Sequence, residues 1–103
     1  MTRRDALIAV IESLHAEIAA LKSNDLPALE AATRAKLVGI DAVALCDGEA
    51  PNAEVRALAA EAQRLNETCR IYVNLMAANV RRRLQLLSGN AAPAYRPGGY
   101  ALA

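Results

Sequence analysis

The chain contains 103 residues, the length of one small domain, of which 54% are apolar and 22% charged, and its net charge is +1. This apolar fraction excludes a disordered chain, and two cysteines are too few for a disulfide scaffold. No apolar run approaches the roughly 20 residues of a membrane span, and no signal-peptide pattern follows the N-terminal arginines. We therefore expect a cytoplasmic protein without membrane insertion. The 24 alanines and 14 leucines favour helix.

The first predicted helix covers residues 3–22. Its apolar residues are separated by alternating steps of four and three, which is a heptad pattern. Thr2 is a suitable N-cap, and Asp5 suits the positive end of the helix dipole. The apolar positions are Leu7, Ile11, Leu14, Ile18 and Leu21.

The second predicted helix covers residues 26–46. Asp25 can cap it, and Pro27 lies where a first-turn proline is tolerated. The sequence leaves open whether this region is a kink in one long helix or a break between two helices. Its apolar positions are Leu26, Leu29, Leu37, Ile40 and Ala44.

A third helix is predicted over residues 53–88, after a turn that contains Gly48, Pro51 and Asn52. Gly89 suits the position after its C-terminus, and residues 90–103, with two prolines and two adjacent glycines, predict a flexible tail. The apolar seam keeps a heptad pattern as far as Met76 and then shifts. It comprises Val55, Leu58, Ala62, Leu65, Cys69, Tyr72, Met76, Val80, Leu84 and Leu87.

These elements predict an all-α fold in which long antiparallel helices form a coiled-coil-like hairpin or an open up-and-down bundle. We expect one domain over residues 1–89, because a helix of some 36 residues cannot bury its apolar stripe alone. Two or three helices make a thin core, so part of the stripe is expected to stay uncovered and to bind a partner. The stripe from Leu65 to Leu87 is the predicted location.

Catalytic and metal-binding patterns are weak, so we predict no enzyme, no metal and no cofactor. Glu12 and His15 have the spacing of a carboxylate-bridged iron site, but the chain has one histidine and such sites need two such pairs. Cys46 and Cys69 lie too far apart for a Cys-x-x-Cys motif, and Cys69 falls on the apolar seam.

Residues 70–103 contain five arginines and no acid, whereas residues 1–69 have a net charge of −4. Arg81, Arg82 and Arg83 splay over a wide arc, and the segment lacks the basic surplus expected of a nucleic-acid binder. We therefore predict that the partner is an acidic protein surface and that the chain does not bind nucleic acid. Asn79 lies near the shift in the seam, where a polar residue contacts either solvent or a partner.

Several motifs along the chain form a pattern, namely Leu14-x-x-Glu17, Asp25-x-x-x-Leu29-Glu30 with Lys36, and Leu65-Asn66 in a long helix that ends in Arg-rich turns and Leu-Leu-Ser-Gly. Tyr95-x-Pro97-x-Gly99 after the helix end is the most specific part of this pattern. With these motifs the chain resembles the FlgN type of flagellar export chaperone. The family often has Asn-x-x-Asn in the second long helix, whereas here Cys69 follows Asn66.

The resemblance implies a small cytoplasmic helical chaperone of type III secretion. Such proteins bind the C-terminal amphipathic helix of hook–filament junction proteins, prevent premature assembly and deliver these clients to the export gate. Tyr95, Pro97 and Gly99 match the motif whose tyrosine contributes to docking at the gate. The predicted client-binding residues are Leu65, Asn66, Cys69, Tyr72, Met76, Asn79, Val80, Leu84 and Leu87.

Two alternatives remain open at this stage. The same stripe could join copies of the chain into a structural coiled coil, which would make the protein a homo-oligomer. An export chaperone of the same architecture could also serve a different flagellar client.

Overall fold

The computed structural model describes residues 2–46, 48 and 50–89, and this part of the chain is all-α. Helix α1 spans Arg3–Ser23, α2 spans Leu26–Ala44 and α3 spans Ala53–Leu87. The predicted helical class is confirmed, and the three helix boundaries agree with the prediction to within two residues. The tail predicted over residues 90–103 lies outside the described residues.

A sharp break separates α1 from α2 and settles the alternative that the sequence left open. Asn24 adopts the left-handed conformation with φ of 59°, which reverses the chain at the end of α1. The amide of Asp25 then donates to the carbonyl of Ala20 at 2.9 Å. The side chain of Asp25 caps α2 by accepting from the Ala28 amide at 3.1 Å, and Pro27 occupies the first turn.

Helix α2 runs antiparallel to α1. Val10 lies against Gly39, and Glu17 binds Thr33, so residue numbers rise on one helix as they fall on the other. The approach is close, because a Cβ atom on Gly39 would lie 2.7 Å from Val10 Cγ2. Gly39 therefore sets the distance between the two backbones.

Helix α3 runs in the same direction as α1 as far as Tyr72. Arg4 Nε donates to Glu54 Oε2 at 2.8 Å near the start of both helices. The thiol of Cys69 lies 3.8 Å from the Leu14 carbonyl oxygen, and Lys22 Nζ lies 5.8 Å from the Tyr72 ring centre. The three helices thus run up, down and up over this part of the chain.

Most of the buried apolar residues belong to α1. Helix α2 adds only Ala32 to the apolar core, and α3 adds Leu65 and Cys69. Leu37 and Ile40, which the apolar pattern of α2 marked together with Leu26, are 54% and 46% exposed. The small residues of α2 face α1, and this arrangement directs its large residues outward. The contributions of α1 are Ala6, Leu7, Val10, Leu14, Ala20 and Leu21.

Contacts divide the chain into two compact units, residues 1–72 and residues 73–103. The described part of the second unit contains residues 73–87 of α3 together with Ser88 and Gly89. None of these residues is buried. No described helix is long and apolar enough to cross a membrane.

Candidate partner-binding surface

The predicted client-binding residues of the first unit are mostly covered by the protein itself. Leu65 and Cys69 are 7% and 6% exposed and pack with Val10 and Leu14. Neither side chain is available to a partner in this conformation. Asn66 is exposed, and Tyr72 is half-buried beneath the ammonium group of Lys22.

The second unit carries the exposed part of the predicted surface. Val80, Leu84 and Leu87 are 53%, 61% and 84% exposed, and Met76 is half-buried. Val73, which is 49% exposed, lies on the same side of the helix. At 100° per residue these five side chains span about 80° of the helix circumference. We call Val73, Met76, Val80, Leu84 and Leu87 the α3 stripe.

Sequence reasoning missed Val73 because it followed the heptad seam from Tyr72 to Met76. That seam faces α1 as far as Cys69, whereas Val73 begins a different line along α3. The available signal was the spacing of seven residues between Val73 and Val80, which places both on one face.

Arginines flank the α3 stripe on both sides. Arg81 and Arg83 are exposed, and neither side chain makes a hydrogen bond or ion pair within the described residues. Arg82 points away from the stripe and donates from Nη2 to Asn79 Oδ1 at 3.1 Å. Asn79, which the sequence placed near the client, therefore bonds to its own helix. The surface is an apolar strip between two cations.

A buried polar cluster lies in the first unit, where side chains of α1, α2 and α3 meet. Glu17 is 4% exposed, and its carboxylate accepts from Thr33 Oγ1 at 2.7 Å and from Lys36 Nζ at 3.1 Å. Sequence reasoning assigned this cluster no structural role. One feature of the sequence does mark the cluster: Glu17 lies three residues after Leu14 and four before Leu21, which places it on the buried face of α1.

Burial raises the pKa of the Cys69 thiol from 9.0 to about 11, and the nearby Glu17 carboxylate adds to the shift. Cys69 is therefore a protonated core residue at neutral pH and a poor nucleophile. Cys46 is half-buried and donates from Sγ to the Ala42 carbonyl at 3.3 Å. Among the described residues, no group of three or more histidine, cysteine or acidic side chains could hold a metal ion.

The predicted gate-docking residues, Tyr95, Pro97 and Gly99, lie outside the described residues. No protein-family model, curated protein or solved structure matches the chain at a significant level. The geometry of the described residues defines a helical protein with an exposed apolar stripe on a basic segment.

Proposed function

We propose that the chain is a cytoplasmic chaperone of flagellar type III secretion that binds an amphipathic helix of its client along the α3 stripe. The observation that carries this proposal is the exposure of Val80, Leu84 and Leu87 in a line on one helix face. Aligned apolar residues at steps of three and four are the surface that an amphipathic partner helix covers. The flagellar client, a hook–filament junction protein, comes from the family resemblance.

Charge defines the chemistry of the client helix. Residues 73–89 contain three arginines and no acid, and Arg81 and Arg83 flank the stripe. A helix with an apolar face bordered by Asp or Glu would place its carboxylates against these guanidinium groups. Such rim contacts steer association and orient the partner, while apolar burial supplies most of the affinity.

The size of the apolar contribution follows from the exposed fractions. Complete burial of a Val or Leu side chain is worth about 1.5–3 kcal/mol, so residues that are half to four-fifths exposed each contribute about 1–2 kcal/mol. Val73, Val80, Leu84 and Leu87 together supply about 4–8 kcal/mol before the cost of association is subtracted. Burial of the client's own apolar face adds to this figure.

The test uses two substitutions with equal chemistry on opposite sides of α3. Leu84 is 61% exposed and Leu86 is 60% exposed, but they lie about 200° apart around the helix. We expect Leu84→Asp to weaken binding of a fluorescent peptide from the client's C-terminal helix by at least about tenfold, because a carboxylate enters the apolar stripe. We expect Leu86→Asp to bind like the wild type. Equal loss in both variants, or binding unaffected in both, would contradict the proposal.

The tail is proposed to act in delivery. A chain that ends at Gly89 keeps the whole α3 stripe but lacks Tyr95, Pro97 and Gly99. We expect this truncated chain to bind the client peptide with unchanged affinity and to reduce client secretion in a strain that lacks the full-length protein. Loss of peptide binding on truncation would contradict separate roles for the stripe and the tail.

A further inference from the structure

Helix α2 carries large apolar residues on the side that faces away from α1. Leu37, Val38 and Leu45 are 54%, 70% and 87% exposed. Arg34 and Asp41 lie on the same side, one on each side of Leu37 and Val38. We call these five residues the α2 outer face. A helix that is apolar on two opposite sides is typically covered on both.

The two charged residues of this face have no partners within the described part of the chain. Arg34 and Asp41 are exposed, and neither side chain makes a hydrogen bond or an ion pair there. Lys36, the other basic residue of α2, points inward and binds Glu17. The outer face therefore presents Arg34 and Asp41 without side-chain partners, seven residues apart, with an apolar centre between them. Glu30, which is also exposed, lies on the same side one turn before Arg34 and outside this central pair.

This pattern is self-complementary. If two α2 helices lie antiparallel about a two-fold axis between Leu37 and Val38, Arg34 of each copy faces Asp41 of the other. A parallel arrangement places Arg34 against Arg34 and Asp41 against Asp41, which like-charge repulsion disfavours. The antiparallel arrangement also places Leu37 of one copy beside Val38 of the other.

We propose that the α2 outer face binds a second copy of this chain to form an antiparallel two-fold dimer. The surface is separate from the α3 stripe, so the dimer does not depend on the proposed client. Helix α2 is about 28 Å long and roughly 10 Å wide. The area that its outer face can bury is therefore well short of the ~800 Å² per partner of a standard interface. The dimer accordingly belongs to the weak, transient class of interface.

Charge reversal and mixing test the dimer. Self-association is measured by sedimentation velocity of the full chain from about 1 to about 200 µM, where a dissociation constant in the micromolar range is measurable. In the symmetric dimer, Arg34→Glu introduces a carboxylate opposite Asp41 at both contacts, and Asp41→Arg introduces a guanidinium group opposite Arg34 at both contacts. We expect each variant alone to self-associate at least about tenfold more weakly than the wild type. An equimolar mixture of the two variants restores both attractive pairs, so we expect it to dimerise.

The double variant Arg34→Glu with Asp41→Arg has the net charge of the wild type and both pairs in swapped order, and we expect it to dimerise like the wild type. Circular dichroism at each composition establishes that the helices are retained. A wild-type chain that stays monomeric to about 200 µM would overturn the proposal. Dimerisation insensitive to both single reversals, or a mixture no more associated than its components, would also overturn it.

Discussion

The buried Glu17 cluster gives the most quantitative stability prediction. Replacing Lys36 with Met keeps the volume of the stem but removes the ammonium group 3.1 Å from the Glu17 carboxylate. The side chains of Glu17 and Lys36 are 5% and 19% exposed. Water therefore cannot take the place of the lost cation at Glu17, and the variant retains a buried carboxylate that still accepts from the Thr33 hydroxyl.

Removal of one partner from a buried ion pair typically costs about 3–5 kcal/mol. Because Lys36 retains some exposure, we expect Lys36→Met to lower the free energy of unfolding by about 3 kcal/mol, the lower end of that range. The double variant Glu17→Gln with Lys36→Met removes both charges and is expected to lie within about 1 kcal/mol of the wild type. The resulting coupling energy would be at least about 2 kcal/mol.

Urea unfolding followed by far-ultraviolet circular dichroism measures these values, since the chain has no tryptophan. The control is Arg64→Met, which breaks the exposed pair between Arg64 and Glu61, a contact in which the arginine is 65% exposed. We expect the control to cost less than about 1 kcal/mol. A loss below about 1 kcal/mol for Lys36→Met, equal to that of the control, would refute the assignment of a buried, mutually dependent pair.

Three further predictions address other positions in the first unit. Because folding raises the Cys69 pKa from 9.0 to about 11, the contribution of this thiol to stability is complete below pH 9 and falls by about 2–3 kcal/mol as the pH rises to 11. The difference in unfolding free energy between the wild type and Cys69→Ala should fall over that range, and a constant difference would contradict it. Gly39→Ala is expected to lower the free energy of unfolding by about 1–3 kcal/mol, although alanine has the better helix propensity. Adding Val10→Ala should relieve part of this cost. Additive losses for the two substitutions in urea unfolding would argue against the close approach of α1 and α2. Asn24→Gly should leave the midpoint of unfolding nearly unchanged. Asn24→Ala should lower the midpoint, because alanine adopts the left-handed conformation at a cost of about 1 kcal/mol. An equal effect of the two substitutions would argue against the left-handed conformation at this position.

The sequence predicted the local structure well because local structure depends on signals that lie close together in the chain. Thr2, Asp25 and Pro27 marked helix starts, and the steps of four and three marked the buried side of α1. The heptad seam of α3 correctly indicated residues such as Leu65 as apolar contact positions. It could not indicate which of these residues face α1 and which remain open to a partner.

The missing information concerned packing between helices. Leu37 and Ile40 looked like core residues, but Gly39 and Ala32 let α1 approach α2 on the opposite side. The contact between Glu17 and Lys36 joins residues 19 positions apart, and only the antiparallel pairing of α1 and α2 brings them together. Burial therefore has to be assigned from tertiary structure where small residues compete with large ones for the core.

The central claim is that the α3 stripe binds an amphipathic helix of a client. Methyl NMR of protein labelled at leucine and valine, titrated with the C-terminal helical peptide of a hook–filament junction protein from the same organism, tests it most directly. We expect the methyl signals of Val73, Val80, Leu84 and Leu87 to shift in a saturable manner while those of Leu14 do not. Saturable shifts confined to residues outside the stripe, or no shifts at millimolar peptide, would contradict it.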